Sequence, residues 1–186
     1  MTFDRNVLSI DCAAVSRQIE AAVREIVAKR LHRRGAVVAV SGGVDSAACA
    51  ALAARALGPQ RVLALLMPER DSAPESTDRG RTLCQGLGID YEIEDIAPVL
   101  EALGCYRRRD EAIRRLFPEF EPGCRAKITV AGNLLDQDRV NYFNLVVELP
   151  GGEQQKKRMP LDIYLQVVAA TNMKQRTRML TLYYHA

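Results

Sequence analysis

The sequence predicts a doubly wound parallel α/β sheet, and three observations support this class. Short apolar runs of strand length alternate with helical stretches of ten or more residues. The first apolar run leads through a turn of small residues directly into an alanine-rich helix. Glycine or Gly-Pro follows the helices at positions where it can end them. Strands and helices that alternate in this way form parallel sheets through right-handed crossovers.

The composition is that of one ordinary globular domain of 186 residues, with 48% hydrophobic and 26% charged residues. A net charge of +3 is mild, so it suits anionic nucleotides without indicating a nucleic-acid partner. No apolar stretch has the length of a membrane span, and the N-terminal segment lacks a signal-peptide pattern. The five cysteines are scattered without metal-binding spacing, which favours reduced thiols. We therefore expect a cytoplasmic protein.

The first element is predicted to be a long amphipathic helix that Asp11 caps and Gly35 ends. Its apolar face packs either on the sheet or on a second subunit, and the spacing alone does not separate these alternatives. The charged face is predicted to be solvated, and His32 on this face is given no catalytic role. Its members are Arg17, Glu20, Arg24, Lys29 and His32.

Three strands and two helices follow in alternation. A strand over residues 37–40 precedes a helix that reaches about Leu57, and Gly58-Pro59 stops this helix. A second buried strand covers residues 61–67 and closes a βαβ unit, whose ligands bind at the carboxyl ends of the strands. The next helix starts at Ser76 and ends at Gly88, before a third strand over residues 90–94.

A longer connection over residues 104–160 is predicted to be an insertion that contains a β-hairpin. It begins with a helix over residues 107–117 and continues as an irregular stretch to Gln137. A strand over residues 140–149 then pairs through the turn Pro150-Gly151-Gly152 with a strand over residues 153–159. The basic residues of the insertion form either an anion-attracting patch or solvated edge charges: Arg107, Arg108, Arg109, Lys156, Lys157 and Arg158.

The C-terminal segment is predicted to be two successive helices. The first begins at Leu161, and Thr171 or Asn172 caps the second, which runs to the C-terminus. One face of the first helix is predicted to be apolar through Leu161, Tyr164, Leu165 and Val168. His185, at the end of the chain, is given no catalytic role.

The turn between the first strand and its helix is the predicted functional site. It consists of Ser41, Gly42, Gly43, Val44, Asp45 and Ser46. A helix N-terminus leaves backbone N–H groups without partners and carries a partial positive charge, so it attracts anions. The two glycines let the backbone approach an anion closely, and the serines add hydroxyl donors. The turn is therefore predicted to bind phosphate, the alternative being a glycine turn that only closes the βα unit.

Asp45 makes this turn different from a Walker-type loop, which has a lysine at the corresponding position before the closing Ser or Thr. A carboxylate beside a bound polyphosphate requires a cation between the two. Asp45 is therefore predicted to be a Mg²⁺ ligand, with the ion bridging the carboxylate and phosphate oxygens.

The order Ser-Gly-Gly-Val-Asp-Ser after an apolar strand resembles the pyrophosphate-binding loop of the ATP pyrophosphatase, or PP-loop, superfamily. Within it, two further stretches are similar to NAD synthetases. One is the second strand and its loop, at residues 65–70 and 72–76. The other is the segment Asn-Met-Lys-Gln-Arg-Thr-Arg-Met at residues 172–179. The resemblance covers most of residues 36–96 and 171–186.

The resemblance implies an adenine nucleotide alpha hydrolase-like sheet and the ATP-dependent amidation of deamido-NAD to NAD. In that family the nicotinate carboxylate first forms an adenylate with release of pyrophosphate, and ammonia then displaces AMP. The loop over residues 41–46 and Met67 would bind ATP, Asp45 would bind Mg²⁺, and Arg176 would contact deamido-NAD. The resemblance also implies a homodimer, while the nitrogen would come from free ammonia or a separate glutaminase.

Members of that family continue beyond the position that corresponds to Ala186, so the domain over residues 1–186 is expected to be incomplete at its C-terminus. We accordingly expect the isolated chain to bind ATP weakly and to form little NAD. Two alternatives stay open at this point. One is another PP-loop enzyme such as a tRNA-thiolating enzyme, which requires a reactive cysteine. The other is a nucleotide-binding module without catalytic activity.

Overall fold

The computed structural model describes residues 9–130 and 142–186, which belong to two compact units. The first unit comprises the chain up to Ala97 together with Arg178–Ala186, and the second is Pro98–Thr177. A single domain with an insertion over residues 104–160 stays a prediction. The part of the predicted irregular stretch beyond Val130 and the start of the strand predicted at residue 140 lie outside the described residues.

The first unit contains a parallel three-stranded sheet, which confirms the predicted α/β class. Its strands are β1 (Ala36–Ala39), β2 (Val62–Leu66) and β3 (Asp90–Ile93), in the order β1-β2-β3. Helix α2 (Val44–Leu57) connects the first two strands, and α3 (Pro74–Leu87) connects the next two. The core forms between the sheet and these helices because β2 is apolar on both faces and α2 buries alanines.

Glycine ends the two helices that connect the strands, as the sequence predicts. Gly58 follows α2, and Gly88 follows α3 in the left-handed conformation that suits glycine. The start of α3 was predicted two residues too late, because Pro74 occupies its first turn and Ala73 is the N-cap. Proline is favoured there, since the first N–H groups of a helix lack intrahelical partners in any case.

Helix α1 (Cys12–Arg24) begins where the sequence predicts, with Asp11 Oδ1 accepting a hydrogen bond from Ala14 N at 3.0 Å. It continues as a π-helical turn, Glu25–Arg30, and does not reach Gly35. His32 adopts a positive φ of 51° beyond the helix, so its predicted place on a helical face was wrong. Gly35 does not end the helix. A glycine is required there because a Cβ would lie 2.2 Å from the carbonyl oxygen of Arg61.

The buried side of α1 matches only part of the predicted apolar face. Glu20 is buried, and its Oε1 lies 2.8 Å from Nε of Arg55 on α2, so its predicted solvated position was wrong. Among the apolar residues at helical spacing that define the predicted face, Val23 and Val27 are half-buried, whereas Ile19 and Ile26 are 40% and 42% exposed. The alanines of α2 leave room for a carboxylate beside them. The Arg55 guanidinium offsets the buried charge, although Glu20 Oε1 makes no well-directed hydrogen bond with the described residues.

Replacing Arg55 with alanine is expected to lower the free energy of unfolding by about 1 to 3 kcal/mol, because it leaves the Glu20 carboxylate buried without its cation. The matched control is Arg81→Ala, which removes an exposed i,i+3 pair with Asp78 and should cost less than about 0.5 kcal/mol. Chemical denaturation of both variants measures the difference. Equal losses would show that the Glu20–Arg55 pair contributes no more than a surface pair.

The second unit contains an antiparallel sheet with the strand order β4-β5-β6. Strand β5 (Phe143–Glu148) and β6 (Gln154–Arg158) form the predicted hairpin. Strand β4 (Arg125–Val130) falls in the stretch that was predicted to be irregular, which was wrong. Its residues, Arg-Ala-Lys-Ile-Thr-Val, alternate between polar and apolar, which is the period-two pattern of a strand, so the sequence held a usable signal for β4.

The helices of the second unit differ in extent from their predictions. Helices α4 (Ala97–Ala102) and α5 (Cys105–Arg114) precede β4, and α5 begins before Arg107 and ends before Phe117. Helix α6 (Leu161–His185) is one continuous helix, so the predicted break at Thr171 or Asn172 was wrong. The Thr171 hydroxyl donates to the Val167 carbonyl one turn earlier, which satisfies it inside the helix.

The apolar face of α6 was also only partly predicted. Leu161 and Leu165 are exposed, whereas Ile163, Val167 and Ala170 are buried. Ile163 and Val167 pack in a core with Phe117 and Leu145. In the described part of the chain, no helix combines the length and the apolar character that crossing a membrane requires.

Candidate functional site

The loop of residues 41–46 lies between the carboxyl end of β1 and the first turn of α2, and its serines hold it in shape. Ser46 Oγ accepts from Ser41 N at 3.1 Å and donates to the Gly43 carbonyl at 2.9 Å. The two serine hydroxyl oxygens lie 3.1 Å apart, and Gly43 N donates to Ser41 Oγ at 3.4 Å. A hydroxyl has one hydrogen, so the Ser41 hydroxyl is the donor between the serines. An anion that took a hydroxyl hydrogen would replace one of these bonds.

Both the backbone conformation and the neighbouring atoms require a glycine at residue 42. Its φ of +79° lies in the left-handed region, which side chains disfavour. A Cβ at this residue would lie 2.4 Å from the carbonyl oxygen of Ser76 in the first turn of α3. Gly43 has an ordinary φ of −93°, and a Cβ added at this residue would lie 3.4 Å from Ser41 Oγ. The loop thus contacts α3 through Gly42, whereas a side chain at Gly43 would touch only Ser41 among the described residues.

The N-terminus of α2 is open to an anion. Gly43 is the N-cap and has no side chain that could accept the first-turn N–H groups. Val44 and Asp45 are exposed in that first turn. The helix dipole adds a partial positive charge at the same place. The arrangement can therefore bind an anion through backbone N–H groups.

Asp45 is the acidic residue of this first turn, and its carboxylate is exposed. It has no hydrogen bond or ion pair with any residue in the described ranges. A carboxylate that accepts nothing from the protein is available to a cation from solvent. The site therefore combines N–H donors for an anion with an adjacent oxygen ligand for a metal ion.

The two other predicted site residues lie in different units. Met67 directly follows β2 and is buried at the carboxyl edge of the parallel sheet, the edge from which the loop also leaves. This is where α/β sheets bind ligands. Arg176 is exposed on the part of α6 that belongs to the second unit, while the loop and Met67 belong to the first. Its predicted role stays a prediction.

Sequence reasoning missed a cluster in the first unit that involves His185. Nε2 of His185 lies 3.0 Å from Glu94 Oε1, and Nδ1 lies 3.7 Å from Glu92 Oε2. The spacing of the glutamates was a usable signal, since residues two apart on a strand share a face. The separation of 91 residues between Glu94 and His185 concealed the third member, because only the fold brings them together.

The five cysteines carry thiols rather than disulfides. Cys84 is fully buried, and this burial raises the pKa of its thiol. We expect iodoacetamide at pH 8 to modify the exposed Cys12 and Cys49 quickly and Cys84 at least about tenfold more slowly, because the thiolate is the reactive form. Mass spectrometry of timed samples measures this order. Rapid modification of Cys84 in the folded chain would contradict this expected order and would support a thiol-dependent mechanism.

Comparison with known proteins relates the chain to one family. The family model described as NAD synthase matches residues 15–116, more than half of the chain. An NH3-dependent NAD+ synthetase of Rhizobium meliloti is 48% identical over 186 residues, which are 100% of this chain and 55% of that protein. One from Rhizobium rhizogenes is 46% identical over 97% of this chain and 54% of its own length. The chain thus spans about half the length of these relatives.

The chain is also similar to solved structures. An NH3-dependent NAD synthetase of Campylobacter jejuni has 30% identity and a TM-score of 0.47, and the match covers 58% of this chain and 50% of that one. The family model itself contains the whole loop of residues 41–46, β2 and β3. With this match over more than half of its residues, the chain belongs to the NAD synthase family.

Proposed function

We propose that this chain carries the ATP-binding part of an ammonia-dependent NAD synthetase, a ligase of NAD biosynthesis. The reaction would be the ATP-dependent amidation of deamido-NAD to NAD, with release of AMP and pyrophosphate. The proposal depends chiefly on the loop of residues 41–46, where uncapped N–H groups and the exposed Asp45 stand side by side. The names of the Rhizobium relatives support the substrate and the nitrogen source. They favour NAD synthesis over tRNA thiolation or a module without catalysis.

The loop fits the pyrophosphate part of ATP. Its glycines keep side chains out of the approach to the α2 N-terminus, and the hydrogen bonds of its serines fix its shape. When bound at Asp45, Mg²⁺ would offset negative charge that develops on the phosphate oxygens. The N–H groups of the first turn of α2 would stabilise the same charge, because they are already oriented toward it.

The chemistry requires alignment rather than a side-chain nucleophile. A carboxylate is a poor acceptor for ammonia, so the nicotinate carboxylate would first attack the α-phosphate of ATP and form an adenylate. The loop would hold the departing pyrophosphate in place, and Met67 would line the nucleotide site from the end of β2. Positioning of this kind contributes a large share of the rate in phosphoryl and nucleotidyl transfer.

Arg176 is proposed to contact deamido-NAD, since an exposed guanidinium suits a phosphate or a carboxylate. We also propose a homodimer. In support, α1 turns Ile19 and Ile26 outward, and Leu31 beyond it is exposed as well. Sedimentation velocity tests the dimer, which a purely monomeric species at micromolar concentration would contradict. The use of ATP and ammonia, together with free thiols at exposed positions, supports a cytoplasmic location.

The test of the proposed function is calorimetric titration of ATP into the 186-residue chain with and without Mg²⁺. Binding that requires Mg²⁺ supports the proposal, and absence of Mg²⁺-dependent binding would overturn it. A second assay supplies deamido-NAD, ATP and ammonium and measures NAD and AMP, with glutamine in place of ammonium as the control for the nitrogen source. Robust amide formation would contradict the expectation that the isolated chain has little activity.

A further inference from the structure

A second cluster of charged side chains lies in the first unit, apart from the loop of residues 41–46. Glu92 on β3 and Glu94 just after it share one side of the strand because they are two residues apart. His185 reaches them from the last turn of α6. One ligand atom from each of the three residues lies within 4.8 Å of the others.

We propose that Glu92, Glu94 and His185 bind one divalent transition-metal ion, with Zn²⁺ and Mn²⁺ as the candidates. Two carboxylate oxygens and one imidazole nitrogen form a mixed set that such ions accept, whereas Mg²⁺ prefers oxygen ligands and water. Ligands about 2.1 Å from a tetrahedral ion lie about 3.4 Å from each other. An imidazole binds one ion through one nitrogen, so a single ion would use either Nε2 or Nδ1 of His185. Nε2 lies 3.0 Å from Glu94 Oε1, close to this spacing, and one ligand atom from each of the three residues lies within 4.8 Å of the others, so Glu92 has to rotate closer.

Burial within the cluster suits a metal site that solvent can reach. The His185 side chain is 11% exposed, so its ring is held by the protein, while Glu94 and Glu92 are 41% and 55% exposed. The glutamates can therefore rotate onto an ion that enters from solvent, with Glu92 moving furthest. Two carboxylates this close together repel each other, and a cation removes that repulsion. The ion would join the end of α6 to β3 within the first unit.

The competing explanation is that a protonated His185 neutralises the glutamates by itself. Metal titration distinguishes the two, because an ion pair needs no metal. The chain has only two histidines, so long-range ¹H–¹⁵N spectra of the imidazoles resolve His185 from His32. We expect one equivalent of Zn²⁺ to shift the His185 signals and one equivalent of Mn²⁺ to broaden them, with His32 unaffected. The Cys12→Ser, Cys49→Ser chain is used, since exposed thiols also bind Zn²⁺.

Calorimetry with Zn²⁺ and Mn²⁺ then measures affinity in variants. Glu94→Gln and His185→Asn should each weaken binding at least about tenfold, and Glu92→Gln should do so to a smaller degree. The matched controls are Asp90→Asn, which removes an acid on the same side of β3, and His32→Asn; both should keep the wild-type affinity. Circular dichroism checks that each variant is folded. If Glu94→Gln does not fold, the loss of metal affinity is measured in Glu92→Gln instead.

Three results would overturn the proposal. They are an unchanged His185 spectrum at equimolar metal, unchanged affinity in both Glu94→Gln and His185→Asn, or an equal loss in Asp90→Asn. Asp45→Asn should leave this binding intact, so a failure of the ATP proposal and a failure of the metal site give different outcomes.

Discussion

Replacing Asp45 with asparagine is expected to weaken Mg²⁺-dependent ATP binding by at least about 100-fold, or about 2.8 kcal/mol, because it removes the charged ligand of the ion. The carboxylate has no partner in the described structure, so the change breaks no protein contact. Titration calorimetry with and without Mg²⁺ measures the effect. Without Mg²⁺, the variant and the wild type should bind ATP with similar, weak affinity.

Glu75→Gln is the matched control for this substitution. Glu75 is the acidic residue in the first turn of α3, as Asp45 is in the first turn of α2. Both variants should lose a similar helix-dipole stabilisation of about 0.3 to 1 kcal/mol, measured by thermal unfolding. Only Asp45→Asn should lose the Mg²⁺ dependence. If Glu75→Gln lost the Mg²⁺ dependence equally, the effect would come from the loss of any negative charge near the sheet edge rather than from the loss of a specific Mg²⁺ ligand.

Replacing Gly42 with alanine is expected to lower the free energy of unfolding by at least about 2 kcal/mol. The side chain would have to adopt a φ of +79°, and its Cβ would lie 2.4 Å from the Ser76 carbonyl oxygen. Backbone at the start of α3 would have to move, and the loop would open. Chemical denaturation measures the stability, and ATP titration of the folded fraction measures the remaining binding.

Gly43→Ala and Gly86→Ala separate folding from binding. An alanine fits at residue 43, so the chain should fold, while the methyl group in the path of a phosphate should weaken ATP binding about tenfold or more. Gly86 lies in α3 with nothing within 4 Å of an added Cβ, so alanine there should stabilise the helix slightly. A stable Gly42→Ala variant with normal ATP binding would contradict the described contact between the loop and α3.

Local features of the chain were predictable wherever short-range interactions decide the structure. The passage from β1 through the loop into α2 depends on neighbouring residues only, because small residues and an apolar run suffice to form it. Gly58 and Gly88 end their helices for a similarly local reason. The sequence therefore predicted the parallel α/β class and the candidate anion site together.

Features that depend on partners distant in sequence were missed. Strand β4 is an exception, because its alternating polar and apolar residues were a local signal that was overlooked, and its pairing with β5 accompanies that pattern. The break predicted in α6 rested on polar residues that could cap a helix, but Thr171 bonds within the helix instead. Glu20 was predicted to be solvent-exposed because charged residues usually are. It is buried instead, because the charge of Arg55 lies next to its carboxylate.

By itself, the sequence determined the fold class, the phosphate-type loop with Asp45 in place of a lysine, and the resemblance to NAD synthetases. Only the tertiary structure decided that Gly42 contacts α3 and that His185 lies between two glutamates 91 and 93 residues away. The physical reason is the range of the interactions. A turn or helix end is fixed by adjacent backbone, whereas a buried charge or a ligand cluster is fixed by residues that meet only after the chain has folded.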